Sequence, residues 1–110
     1  MPEQERPQRD LLPSLVFLSG DLLAASIPLE REEIILGRAL EADVRINDTR
    51  VSRQHARINT ISSETEKPVY ILTDLGSKNG TLLNGHKVVQ EVLHNGDKIQ
   101  IGEYLLRSEE

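Results

Sequence analysis

From residue 15 onward, apolar residues come in short runs punctuated by Gly, Pro, Asn and Asp. The run 15–18, then Ser19-Gly20-Asp21, then residues 22–29 broken by Ser26 and Pro28, predict a β-hairpin whose turn uses glycine's access to positive φ. Residues 32–37 carry Ile34, Ile35 and Leu36 and stop at Gly37, too short for a helix and predicted as a strand. Residues 44–46 predict a brief β-branched strand, and Asn47-Asp48-Thr49 an Asx-type turn. Across residues 54–61, Ala56, Ile58 and Thr60 alternate with Arg57 and Asn59, a strand with one buried face.

The second half repeats the pattern. Residues 62–68 are polar and end in Pro68, a loop, and residues 69–75 read as another strand. Gly76-Ser77-Lys78-Asn79-Gly80 is dense in residues that tolerate a left-handed backbone; residues 81–83 return to strand and turn again at Asn84-Gly85. After Lys87-Val88-Val89, an Asn95-Gly96-Asp97 turn leads into strands at 98–101 and, past Gly102, 104–106. Turn signals roughly every eight to twelve residues, with no sustained 3.6-residue period, indicate an all-β sandwich or small barrel. Residues 40–44 are the one place where a helical turn fits. Residues 1–13, polar and punctuated by Pro2, Pro7 and Pro13, predict a flexible amino-terminal arm, leaving 14–110 as the domain.

Composition narrows what such a domain binds. At 110 residues there is room for one core. With only two tyrosines, one phenylalanine and no tryptophan, that core is aliphatic and no aromatic platform exists for stacking bases. A net charge of −5 argues against broad binding to nucleic acid or to an anionic membrane. The absence of cysteine excludes disulfides and thiolate chemistry and fits a cytoplasmic location. Residues 1–13 hold no apolar run of signal-peptide length, and nowhere do eighteen apolar residues follow one another, as a membrane-spanning helix would need.

Against that acidic background Arg38, Arg45, Arg50, Arg53 and Arg57 fall within twenty positions that hold three acids, Glu41, Asp43 and Asp48, a local balance of 5 − 3 = +2. A point-like basic site calls for a compact anion. A phosphorylated side chain carries about −1.5 to −2 charges and three acceptor oxygens, which guanidinium meets in a fork that lysine cannot supply. Ser52 can add a hydroxyl donor, and a tight loop can add backbone N–H groups. Arg45 and Arg57 alternate with apolar neighbours and read as solvated strand positions.

Four blocks in order then resemble one known family: Gly37-Arg38; Ser52-Arg53-Gln54-His55; Asn79-Gly80-Thr81 with Asn84-Gly85; and Asn95-Gly96-Asp97-Lys98-Ile99-Gln100-Ile101-Gly102. Together they resemble the forkhead-associated (FHA) domain, a reader of phosphorylated motifs. The resemblance implies an FHA-like β-sandwich of about eleven short strands, with loops at one end binding a phosphothreonine segment. By that likeness Arg38 and Ser52 are expected to contact the phosphate and Arg53 the phosphate or peptide backbone. Asn79 is expected to bond the peptide main chain, and Arg50 to choose an acidic residue three positions after the phosphothreonine. Lys78 stands where some members carry threonine or serine and is expected to supply charge. Gly37, His55, Gly80 and Asn84 are expected to support the loops, the glycines through backbone conformation, His55 through hydrogen bonds between loops and Asn84 by capping its own turn.

The expected partner is therefore a phosphothreonine-containing protein or peptide, or a covalently attached output domain such as a cyclase or transcription regulator. The arm, residues 1–13, contains no threonine, so that partner segment lies elsewhere. A phosphate-independent interaction or dimerisation module on the same scaffold is the competing reading. The style of the loop at residues 77–81 suggests a bacterial source. No cofactor is expected. With no cysteine and three dispersed histidines no metal site is expected, and Ser52 with His55 three residues on lacks an acidic third member for catalysis, so no enzyme activity is expected either.

Overall fold

A computed structural model describes residues 13–62, 64 and 66–109. Among them the chain forms eleven strands: β1 (Ser14–Phe17), β2 (Ser26–Pro28), β3 (Glu33–Gly37), β4 (Val44–Arg45), β5 (Ala56–Ile61), β6 (Val69–Asp74), β7 (Thr81–Leu83), β8 (His86–Lys87), β9 (Gln90–Leu93), β10 (Lys98–Ile101) and β11 (Tyr104–Glu109). They lie in two sheets, ordered β2-β1-β11-β10-β7-β8 and β4-β3-β5-β6-β9. All pairings are antiparallel except β3 with β4, which run parallel through Leu36↔Val44 and Gly37↔Arg45.

Period-two alternation builds the core. Ile34 and Leu36 of β3, Ala56 and Ile58 of β5, and Leu72 of β6 face Leu15, Phe17, Ile99, Ile101 and Leu106 of the other sheet, and all are buried. Each fully buried Leu or Ile contributes about 1.5–3 kcal/mol. The aromatics join the same core: Phe17 meets Tyr104 edge to face at 6.0 Å, and the Tyr104 hydroxyl donates to Asp21 at 2.7 Å. That bond, followed by burial, raises the Tyr104 pKa above its usual value.

Several boundaries differ from the sequence expectation. The turn between β1 and β2 is not tight but includes a 3-10 turn over Gly20–Leu22, with Ala24 at φ 71°. Residues 40–44 hold one turn closed by Ala42 N–H to the Ala39 carbonyl at 3.1 Å and no helix. The strand at residues 90–93 was not anticipated, and β11 runs three residues past Leu106, burying Ser108. Pro13 already belongs to the sandwich, since its carbonyl accepts the Leu29 N–H at 2.8 Å. The rest of the expected arm, residues 1–12, lies outside the described residues.

Candidate functional site

The loops β3–β4, β4–β5, β6–β7 and β10–β11 meet at one end of the sandwich. As β3 ends, Arg38 N–H donates to the Ser52 carbonyl (3.0 Å) and Ala39 N–H to the Arg53 carbonyl (3.1 Å), while His55 N–H reaches back to Leu36 (2.9 Å). The segment 51–55 is thereby laid along the exit of β3. Gly37 is needed for this close approach, because a Cβ there would collide with the Arg53 carbonyl. Its role is thus room for a neighbouring backbone rather than the special φ expected from sequence; it is absent from the residues with positive φ.

His55 ties the loops from inside. Its ring is fully buried; Nδ1 accepts the Ser52 backbone N–H at 3.0 Å and Nε2 lies 2.8 Å from the Gly80 carbonyl. With Nδ1 accepting, the proton sits on Nε2, and the neutral imidazole bridges the β4–β5 and β6–β7 loops. The Ser52 hydroxyl is not its partner but accepts Lys78 N–H at 3.0 Å, so no nucleophile–base pair is formed.

A residue that sequence reasoning missed shapes the β6–β7 loop. Asp74, at the end of β6, accepts from Gly76 N–H and Ser77 N–H (both 3.0 Å), from the Ser77 hydroxyl (2.5 Å) and from the Thr81 hydroxyl (2.8 Å). Ser77 Oγ in turn accepts Gly80 N–H at 2.9 Å. Burial pushes the Asp74 carboxyl upward, but the Ser77 and Thr81 side chains and the two backbone N–H groups outweigh it and hold the pKa below its ordinary 3.8.

On this frame Arg38, Ser52, Lys78 and Asn79 come together with Thr49, Arg50 and Val51 around a recess of about 170 Å³. No carboxylate lines it. Arg38 Nε donates to the Val51 carbonyl at 3.0 Å, a neutral partner that fixes the stem and leaves the outer guanidinium N–H groups and the full charge for a ligand. Ser52 accepts with its oxygen and keeps its proton to donate. Asn79 Nδ2 donates to the Arg50 carbonyl at 2.8 Å, which orients the amide at the rim. Thr49, whose hydroxyl-bearing side chain is exposed on this recess, was not singled out beforehand.

The other sequence-nominated residues sit differently. Arg50 is gripped by Asp48 through Nε (3.1 Å) and Nη2 (3.2 Å) and by Glu103 through Nη1 (2.6 Å). The Arg50 backbone N–H, then its guanidinium, hold the Asp48 carboxyl below its ordinary pKa against the opposing effect of burial. Arg53 lies 3.8 Å from Glu41 and with it lines a separate recess that includes Ala39, Gln54 and Leu75. Asn84 adopts φ 51° in the β7–β8 turn. Its side chain does not cap that turn but braces the 94–97 turn, donating to Asp97 (3.0 Å) and accepting Lys98 N–H (2.9 Å). Arg45 and Arg57 bond outside the recess, Arg45 Nε to the Arg38 carbonyl at 3.1 Å and Arg57 to Glu33 at 3.7 Å. Among the described residues no cluster of three His, Cys, Asp or Glu could hold a metal ion.

Residues 34–102, from β3 through the β10–β11 turn, match the FHA domain family model. The chain belongs to the FHA domain family. Two bacterial relatives align over 92 residues, 84% of this chain. One is an oxoglutarate dehydrogenase inhibitor of Corynebacterium diphtheriae, 36% identical; the other is the glycogen accumulation regulator GarA of Mycolicibacterium smegmatis, 34% identical. The chain spans 61% and 55% of their respective lengths. A solved FHA domain from work on phosphothreonine-dependent FHA domain interactions superposes with a TM-score of 0.77 at 30% identity, covering 90% of this chain and 96% of its own. The two-sheet, eleven-strand arrangement is thus the FHA sandwich expected from the sequence blocks.

Proposed function

We propose that this FHA domain docks phosphothreonine-bearing segments of a partner protein, or of a domain attached to it, and in doing so regulates that partner. The observation that carries the reading is the carboxylate-free recess into which Arg38, Ser52, Lys78 and Asn79 converge. A dianionic phosphate can accept there from the outer Arg38 N–H groups, the Ser52 hydroxyl and the Lys78 ammonium, while Asn79 meets the main chain beside it. Each charge-assisted bond is worth about 1.5–3 kcal/mol net, so two of them separate a micromolar phosphopeptide from an undetectable plain one. Phosphothreonine is favoured by the kinship with a structure from work on phosphothreonine-dependent interactions. The regulatory part is favoured by relatives named as an inhibitor and a regulator.

A binding role without turnover agrees with the site: His55 is buried and already bridges two backbone groups, leaving Ser52 without a base. A cytoplasmic setting fits a cysteine-free chain in which no described helix is long and apolar enough to cross a membrane. The decisive experiment titrates a degenerate phosphothreonine peptide library and its unphosphorylated counterpart into the wild type and Arg38→Ala by calorimetry. Phosphate-dependent binding that falls at least tenfold in the variant is the expected result. Equal binding of both peptides, unaffected by Arg38→Ala, would instead establish a phosphate-independent interaction module.

A further inference from the structure

We infer that Thr49 is a regulatory modification site: once phosphorylated by a serine/threonine protein kinase, it seats its phosphate in the recess of its own domain and closes that recess to partner segments. The inference rests on the phosphopeptide reading above in taking the recess for a phosphate seat.

Thr49 and Arg50 are the two central residues of the β-turn 48–51, closed by Val51 N–H to the Asp48 carbonyl at 2.9 Å. The Asp48 side chain accepts Arg50 N–H at 2.8 Å, so the turn is fixed from within. Thr49 is exposed on this turn and also lines the recess with Arg38, Ser52 and Lys78. The hydroxyls of the neighbouring positions are engaged: Ser52 accepts Lys78 N–H, while Ser77 and the fully buried Thr81 both donate to Asp74. The Thr49 hydroxyl makes no hydrogen bond among the described residues, which leaves it open to modification.

Transfer of the γ-phosphoryl group of ATP forms the Oγ1–P bond and breaks the bond from that phosphorus to the β–γ bridging oxygen. ADP leaves with the bonding pair, and the hydroxyl proton passes to a base of the kinase. The product carries about −1.5 to −2 charges on a side chain that had none. Arg38 and Lys78, one positive charge each, offer a matching charge in a recess that no carboxylate lines. Asp48, next in sequence, is already paired with Arg50 at 3.1 Å. Arg38 is held close to the turn by its Nε bond to the Val51 carbonyl, two residues from Thr49. A recess of about 170 Å³ with one set of donors seats one dianion, since two side by side repel. The tethered phosphate competes at an effective concentration on the order of millimolar, against partner peptides that bind at about micromolar. The self-seated form therefore prevails.

The test installs phosphothreonine at position 49 during translation, by codon suppression, and follows its phosphorus NMR signal against pH. The same titration is run on the phosphorylated domain with Arg38→Ala and on a peptide of residues 45–53 carrying the same phosphothreonine. A free phosphothreonine loses its second proton near pH 6, roughly. Seated beside Arg38 and Lys78, the Thr49 phosphate is expected to titrate about one pH unit lower, and Arg38→Ala is expected to return it most of the way. Calorimetry with a phosphothreonine peptide that binds the unmodified domain is expected to show binding weakened about tenfold or more by the Thr49 phosphate, and recovered after phosphatase treatment. The inference is overturned if the phosphate titrates as in the peptide, if Arg38→Ala does not move it, or if the modified domain binds the partner peptide as tightly as the unmodified one. Peptide binding to the unmodified domain keeps the phosphopeptide reading intact in each of those cases. If no phosphopeptide binds the unmodified domain, that reading fails separately, and the NMR comparison alone upholds or overturns the seating of the Thr49 phosphate.

Discussion

Arg38 and Arg50 lie twelve residues apart, line the same recess and are equally attractive to a phosphate on paper. Their surroundings separate them. Arg38 is steadied by a neutral carbonyl, that of Val51, whereas Arg50 is clasped by the carboxylates of Asp48 and Glu103. A dipole fixes the stem and leaves the cation's charge whole; two anions fix it and cancel the charge. A loop arginine is therefore read as a ligand contact or as a structural tie by what holds its Nε, not by its place in a motif.

The contrast depends on a rigid floor common to both arginines, so the largest expected effect comes from removing it. His55→Ala breaks both hydrogen bonds of a fully buried ring and leaves a cavity, with an expected loss of about 3 kcal/mol in urea unfolding and loss of phosphopeptide binding along with it. Next, Arg38→Ala is expected to weaken phosphopeptide binding about tenfold to hundredfold, from one or two charge-assisted bonds at about 1.5–3 kcal/mol each, with little change in stability. Arg50→Ala is expected to show the reverse pattern. Binding stays within about threefold, while thermal stability drops because Asp48 loses its guanidinium partner. Equal binding losses for the two variants, measured by calorimetry, would erase the distinction.

Smaller changes sharpen it. Gly102→Ala places a side chain at positive φ against Val51 and is expected to destabilise by about 1–2 kcal/mol. It should also shift Glu103 and thereby loosen Arg50, seen as a higher affinity for peptides carrying an acid near the phosphothreonine. Asp74→Asn is expected to lose about 1 kcal/mol at neutral pH as the β6–β7 loop slackens. Because the folded pKa of Asp74 is held below 3.8, its contribution is complete above that value and disappears as pH falls through the lowered one. The stability gap between wild type and Asp74→Asn should therefore close on acidification below about pH 4, followed by denaturant titrations at several pH values.

Most of the sandwich was legible because β3, β5, β10 and much of β11 alternate buried and exposed residues with turn residues between them. The edge strand β9 was not, since Gln90, Glu91 and Val92 are exposed and only Leu93 is buried; its strand character comes from pairing with β6 rather than from any apolar rhythm. The buried end of β11 escaped notice for a related reason, as Ser108 is held by backbone bonds to the 94–97 turn and not by hydrophobicity. Within the site, the local signals at Arg38, Ser52, Lys78 and Asn79 lead to one recess. What stayed hidden is pairing across the chain: Glu103 stands 53 positions from Arg50, and Arg53 turns toward Glu41. Asp74 carries no motif, and only the four hydrogen bonds it accepts from Gly76, Ser77 and Thr81 reveal it.

The order β2-β1-β11-β10 in the first sheet has a bearing on how the chain is made. Phe17, on the first of the eleven strands, pairs with Leu106, on the last. At roughly ten residues per second, β1 waits about nine seconds for the neighbour that completes its sheet. The β10–β11 turn that braces Arg50 arrives only then, after every other loop of the recess has been translated. A nascent chain cut short of Gly102 thus lacks both the closing strand and the Glu103 turn, and ligand recognition becomes a property acquired only once β11 has been translated. Pairing so distant in sequence also places this module among the slowly folding β topologies, where transient strand edges make holdase chaperones useful company.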